Sequence, residues 1–202
     1  EIVSDRSTEN TSFTELRTRL EHAFDELESL VEEHDAFSTY IRNLRKEELQ
    51  AQAKLRHMQQ EINQLHRKLR QSNIPGVPNH IWDMLTEASK ANQQVIQSLE
   101  AQPLDMGKVN RALDGAEKTL ERAVEQTNEM LDQAYLTEQI IQYANRYRSR
   151  YPLLAAKLIE SERLFRSFQY ELSLEHAAKA IEEIEPGALK QIEANQELIK
   201  NL

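Results

Sequence analysis

From Phe13 onward, apolar residues recur at alternating three- and four-residue spacing. With Phe13 as heptad position a, the a positions are Phe13, Leu20, Leu27, His34, Ile41, Glu48, Leu55, Ile62 and Leu69. The d positions are Leu16, Ala23, Leu30, Phe37, Leu44, Ala51, Met58 and Leu65. Only His34 and Glu48 interrupt the seam. Such a repeat holds one face of a helix against partner helices throughout. It predicts a helix over about 12–73, with a capping box at Ser12-Phe13-Thr14-Glu15. At 1.5 Å per residue that is roughly 90 Å. Residues 1–11 are polar and predict a frayed or disordered N-terminus. Asn73-Ile74-Pro75-Gly76-Val77-Pro78 ends the helix.

A second stripe (Ile81, Leu85, Ala88, Asn92, Val95, Leu99) predicts a helix over 79–101 with Asn79 as N-cap. A third runs from Val109 to Ala144 and predicts a helix over 105–150 capped by Asp105. Val124, Leu131 and Tyr135 widen its stripe, as suits a helix touching two neighbours. Pro152 opens a fourth helix (about 152–167). A fifth spans about 170–200, broken at Pro186-Gly187.

These lengths predict an all-α chain of elongated, spectrin-like three-helix bundles that share long helices. One repeat would occupy 12–128, using the first half of the third helix. A C-terminal repeat would occupy 129–202, using its second half. Leu164-Phe165, Tyr170 and Ala177-Ala178 ahead of Pro186 are similarly spaced to a tetratricopeptide hairpin; a single unit reads better as the closing hairpin of the last bundle. Nothing later in the chain reaches the seam of residues 12–40. Leaving it wet would forgo roughly 1.5–3 kcal/mol per large apolar side chain. An upstream repeat or a second copy, forming a homodimer, is expected to cover it.

Composition narrows the function classes. The chain has 202 residues, 29% charged and 39% hydrophobic, with four glycines and five prolines. That suits helices with much surface and few turns. The net charge of −9 argues against nucleic acid or an anionic lipid surface as a general partner. Cysteine is absent, which removes disulfides and thiolate chemistry. No apolar run approaches the roughly 18 residues of a membrane span. The glycines form no phosphate-binding loop, and no histidine follows a glutamate by three positions. Paired carboxylates such as Glu32-Glu33, Glu47-Glu48 and Glu182-Glu183 read as solvated helix faces. The expectation is a protein that is not an enzyme and carries no cofactor or metal. His34 and Glu48 either fix register in the seam or lie where it faces water.

One segment differs from the rest. Gln142-Tyr143-Ala144-Asn145-Arg146-Tyr147-Arg148-Ser149-Arg150-Tyr151 alternates tyrosine with arginine. Residues 142–170 carry net +4 within a chain of −9. Tyrosine and arginine are enriched at interface hot spots. Gln142, Asn145 and Arg146 fall at i, i+3 and i+4, one patch of a helix face. The alternative is a helix C-terminus whose cations complement its dipole, with half-buried tyrosines. Stacking on nucleic acid is a third reading, against which the acidic remainder argues.

The runs EQIIQYANRYRSRYP and ERLFRSFQYELSLEHAAKAIEEIEPGALKQIE resemble the C-terminal part of the EzrA family, septation-ring regulators of low-GC Gram-positive bacteria. IPGVP and PLDMGKVNRALDGAE extend the likeness upstream, whereas residues 12–72 match only as generic coiled coil. The resemblance implies cytoplasmic spectrin-like repeats behind an N-terminal transmembrane anchor, a span this chain lacks. It implies a cell-division adaptor at the cytoplasmic face of the membrane, at the septum. That adaptor restrains ring assembly by the tubulin-like protein FtsZ and contacts septal wall-synthesis proteins. A midcell-recruitment patch would fall on Gln142, Tyr143, Asn145, Arg146, Tyr147 and Arg148. A coiled-coil spacer without a docking patch is the alternative.

Overall fold

In the computed structural model no strand occurs among the described residues, which are 2–192 and 194, with side chains from residue 13 onward. The elements are α1 (Ile2–Gln71), α2 (Asn79–Glu100), α3 (Met106–Ala144), a 3-10 turn (Asn145–Tyr147), α4 (Pro152–Arg166) and α5 (Tyr170–Glu182). A further helical segment follows at 188–192. The chain divides into two units, residues 1–50 and 51–202.

In the first unit, α1 begins at Ile2, ahead of the capping box expected at Ser12. No proline or glycine lies before Ser12 to stop the helix, and extending a helix is easier than nucleating one. The Ser12 side chain lies outside the described residues. The seam is exposed: Phe13 is 75% accessible, Leu20 59%, Leu30 62% and Phe37 63%. His34 faces water beside Asp35, while Glu48 is half-buried.

The second unit is packed. The end of α1 buries Ala51, Met58, Ile62, Leu65 and Leu69. Helix α2 buries Ile81, Leu85, Ala88, Asn92 and Val95, and α3 buries Val109, Leu113, Ala116, Leu120 and Ala123. Lys54 bonds Glu117 at 2.9 Å and Lys68 bonds Asn128 at 2.5 Å, so α1 and α3 run parallel. His66 stacks on Trp82 of α2 with centroids 5.7 Å apart. A second core joins Ile140 and Ala144 of α3, Leu154 and Leu158 of α4, Ala177, Ala180 and Ile181 of α5, and Ala188 and Ile192.

The helix ends show local chemistry at work. Asp105 caps α3 by accepting from the Lys108 amide at 3.1 Å. Pro78, not Asn79, is the N-cap of α2; Asn79 is its first helical residue. Proline has no side-chain acceptor to offer the first amides, so the helix begins without a side-chain cap. Helix α5 ends at Glu182, ahead of Pro186, because the residue before a proline avoids helical backbone. Gly187 then takes φ +91°, and the Glu182 carboxylate accepts from its amide at 2.7 Å. Helix α4 closes with Gln169 N–H on Leu164 C=O and Phe168 N–H on Phe165 C=O, the hydrogen bonds of a Schellman motif. The left-handed residue there is Phe168, at φ 64°, where glycine is usual.

The two halves of this unit meet at that turn. A Cβ built on Gly76 would lie 2.6 Å from ring carbons of Phe168, so only glycine admits the ring. The buried Tyr170 hydroxyl donates to the Gly76 carbonyl and accepts from its amide at 3.4 Å. The α1–α2 loop is thereby fastened to the α4–α5 turn.

Candidate docking surface at the end of helix α3

Helix α3 stops at Ala144 rather than continuing to 150. Ala144 is fully buried and anchors the point where the backbone tightens into the 3-10 turn. A 3-10 turn advances about 120° per residue instead of 100°. The tyrosines and arginines that follow are therefore redistributed relative to one straight helix face.

The Arg146 guanidinium lies 3.6 Å from the centroid of the Tyr143 ring and 5.7 Å from that of Tyr147. Its Nε donates to the Tyr143 carbonyl at 3.0 Å. The rings of Tyr143, Tyr147 and Tyr151 form a ladder with centroid spacings of 6.4 and 6.5 Å. The Tyr147 hydroxyl donates to Glu185 Oε2 at 2.7 Å. That bond, with a second from Tyr143 and the nearby Arg146 charge, holds Glu185 below the usual carboxylate range. The same bond pushes the Tyr147 phenol up, and for Tyr143 burial is the first cause of a rise. Arg148 donates to Glu162 at 2.8 Å and to Asn145 Oδ1 at 3.2 Å.

The six residues picked out from sequence thus divide. Tyr143, Tyr147 and Arg148 are half-buried and braced from within the fold. Gln142, Asn145 and Arg146 are exposed, with Gln142 reaching Glu138 at 3.5 Å. Sequence reasoning missed the two braces, Glu162 and Glu185. The turn Glu185-Pro186-Gly187 carried the signal, but it read only as a helix breaker. Among the described residues no group of histidines and carboxylates could hold a metal ion. Nor is any helix among them long and apolar enough to cross a membrane. The arrangement can bind, through carboxamides, a cation and ring faces.

The profile of the family described as "Septation ring formation regulator, EzrA" matches residues 1–196. The chain belongs to the EzrA family. It is 62% identical over 128 residues to the septation ring formation regulator EzrA of Oceanobacillus iheyensis, covering 63% of this chain and 23% of that protein. The EzrA of Bacillus pumilus is 39% identical over 176 residues, 85% of this chain and 31% of the relative. The EzrA of Bacillus subtilis (strain 168) is 40% identical over 134 residues, 66% and 24% of the two chains. The chain thus spans about a quarter to a third of the length of these EzrA relatives. No solved structure matches it.

Proposed function

We propose that this chain is part of a cell-division adaptor that restrains FtsZ ring assembly and links the ring to the membrane and to septal wall-synthesis proteins. The full-length protein would reach the cytoplasmic face of the membrane at the septum through an N-terminal transmembrane anchor. The chain's contribution would be docking through Gln142, Tyr143, Asn145, Arg146, Tyr147 and Arg148. One observation carries this reading: exposed Gln142, Asn145 and Arg146 stand on a frame already braced by Glu162 and Glu185. A braced surface loses little side-chain entropy on binding. We read residues 12–128 and 129–202 as two spectrin-like repeats sharing α3, with the seam of residues 12–40 covered by an upstream repeat or a second copy.

The double substitution Asn145→Ala/Arg146→Ala tests the docking role. It should abolish recruitment of the full-length protein to midcell and weaken pull-down of FtsZ, with an unchanged circular dichroism melt. Normal recruitment would refute the assignment. The spacer reading draws on the same internal bonds, since Tyr147 and Arg148 are spent within the fold. A large loss of melting temperature in the double variant would favour the spacer.

A further inference from the structure

The basic segment does not end at the 3-10 turn. Tyr151 is 42% exposed, Leu153 67% and Ile159 57%. On α4, Leu154, Leu158 and Leu164 are buried, while Ile159, Arg163 and Arg166, at i, i+4 and i+7, share the opposite face. Three cations of this region are neutralised internally: Arg148 by Glu162, Lys157 by Glu183 and Arg163 by Glu160. Arg150 and Arg166 are exposed and have no acidic partner among the described residues. The outward side of α4 thus shows Ile159 and the unpaired Arg166, and the unpaired Arg150 with Tyr151 and Leu153 stands at its start, a small amphipathic cationic surface.

We propose that the outward face of α4, with Arg150, Tyr151 and Leu153 at its head, receives an acidic segment of a partner protein that also carries apolar anchors. This rests on the docking reading above and names the chemistry of what docks. Carboxylates would meet Arg150 and Arg166, and apolar side chains would cover Leu153 and Ile159. Charge decides for a protein segment over a lipid surface. An anionic membrane surface is held by clusters of about four to eight cations, whereas two unpaired guanidinium groups match the carboxylates of one short segment.

The test uses the purified chain and a fluorescein-labelled amphipathic helix of glutamate and leucine, with a lysine–leucine helix of the same pattern as control. Fluorescence anisotropy should show binding of the acidic helix alone. Arg150→Glu/Arg166→Glu should weaken it at least about tenfold, and Arg150→Lys/Arg166→Lys should largely retain it. Ile159→Gln, which leaves the charges in place, should weaken it too. Equal binding by the Glu variant overturns the proposal. So does binding only to phosphatidylglycerol vesicles, or self-association that this variant abolishes. In cells, Asn145→Ala/Arg146→Ala and Arg150→Glu/Arg166→Glu separate the two readings. Loss of midcell recruitment with the first pair alone removes only the α4 surface. Retention with both removes the docking reading as well.

Discussion

At the scale of single residues, two buried polar groups stand out. Asn92 is 1% exposed and neither its Oδ1 nor its Nδ2 has a hydrogen-bond partner; Thr127, fully buried, has none for its hydroxyl. Leaving such a group unpaired costs about 1–3 kcal/mol. Leucine branches at Cγ as asparagine does, so Asn92→Leu should stabilise the chain by about 1–2 kcal/mol in urea titration. A shallower, less cooperative transition would show that the amide instead enforces register. A lower midpoint at unchanged slope would mean that the amide is paired in solution.

The Tyr147–Glu185 bond makes stability depend on pH in a defined direction. Glu185 sits below its ordinary 4.5 when folded. Its contribution is therefore present above that pH and lost as pH falls through the folded value. Tyr147 sits above its ordinary 10.0, so its contribution is present below that pH and lost as pH rises through the folded value. Both hold across the neutral range. Tyr147→Phe should lower the neutral melting temperature, and its melting temperature should fall less than that of the wild type between pH 5 and 3. Parallel acid limbs in the two proteins would show that the bond does not form.

At the scale of elements, the informative feature is the turn after α4. A phenylalanine in left-handed backbone is strained by about 1–3 kcal/mol, and it persists only where its surroundings hold it. Here the Phe168 ring lies over Gly76 and the Tyr170 hydroxyl grips the same residue. Gly76→Ala should destabilise by about 1–2 kcal/mol, because the added Cβ displaces the ring. The same substitution in a Phe168→Ala background should be near neutral. That double-mutant cycle reads the contact directly by thermal melts, and additive effects would mean the ring and Gly76 do not touch. Nothing in the pattern of apolar positions announced this fastening, since it joins residues 94 apart in sequence.

At the scale of the whole chain, the two units differ in what their side chains bury. Residues 51–192 hold every buried side chain among the described residues. From Phe13 to Leu49 the large apolar residues of α1 are mostly exposed. A lone helix is marginal in water, so amides of residues 13–45 should exchange orders of magnitude faster than those of α2 and α3. Deleting residues 1–50 should leave the melting temperature of the remainder within about 3 °C. A larger fall would show that the first unit contributes to the core of the second. Protection of residues 13–45 in the intact chain, together with a dimer in analytical ultracentrifugation, would identify a second copy as the cover of the seam.

The heptad repeat, the stripes at Ile81–Val95 and Val109–Ala144, and the Pro-Gly breaks made the helical class and most element positions legible from sequence. Apolar periodicity is local, and it dictates a helix wherever one face can be buried. Periodicity could not tell whether a seam is buried in this chain: the same spacing is covered at Met58 and bare at Leu30. It also placed Gln142, Asn145 and Arg146 on one helix face within a six-residue patch, where the fold tightens at Ala144 and spends the other three, Tyr143, Tyr147 and Arg148, on Glu162 and Glu185. Those carboxylates arrive from α4 and from the turn after α5. Only packing brings them to the end of α3, because a hydrogen bond acts over about 3 Å of space whatever the distance along the chain.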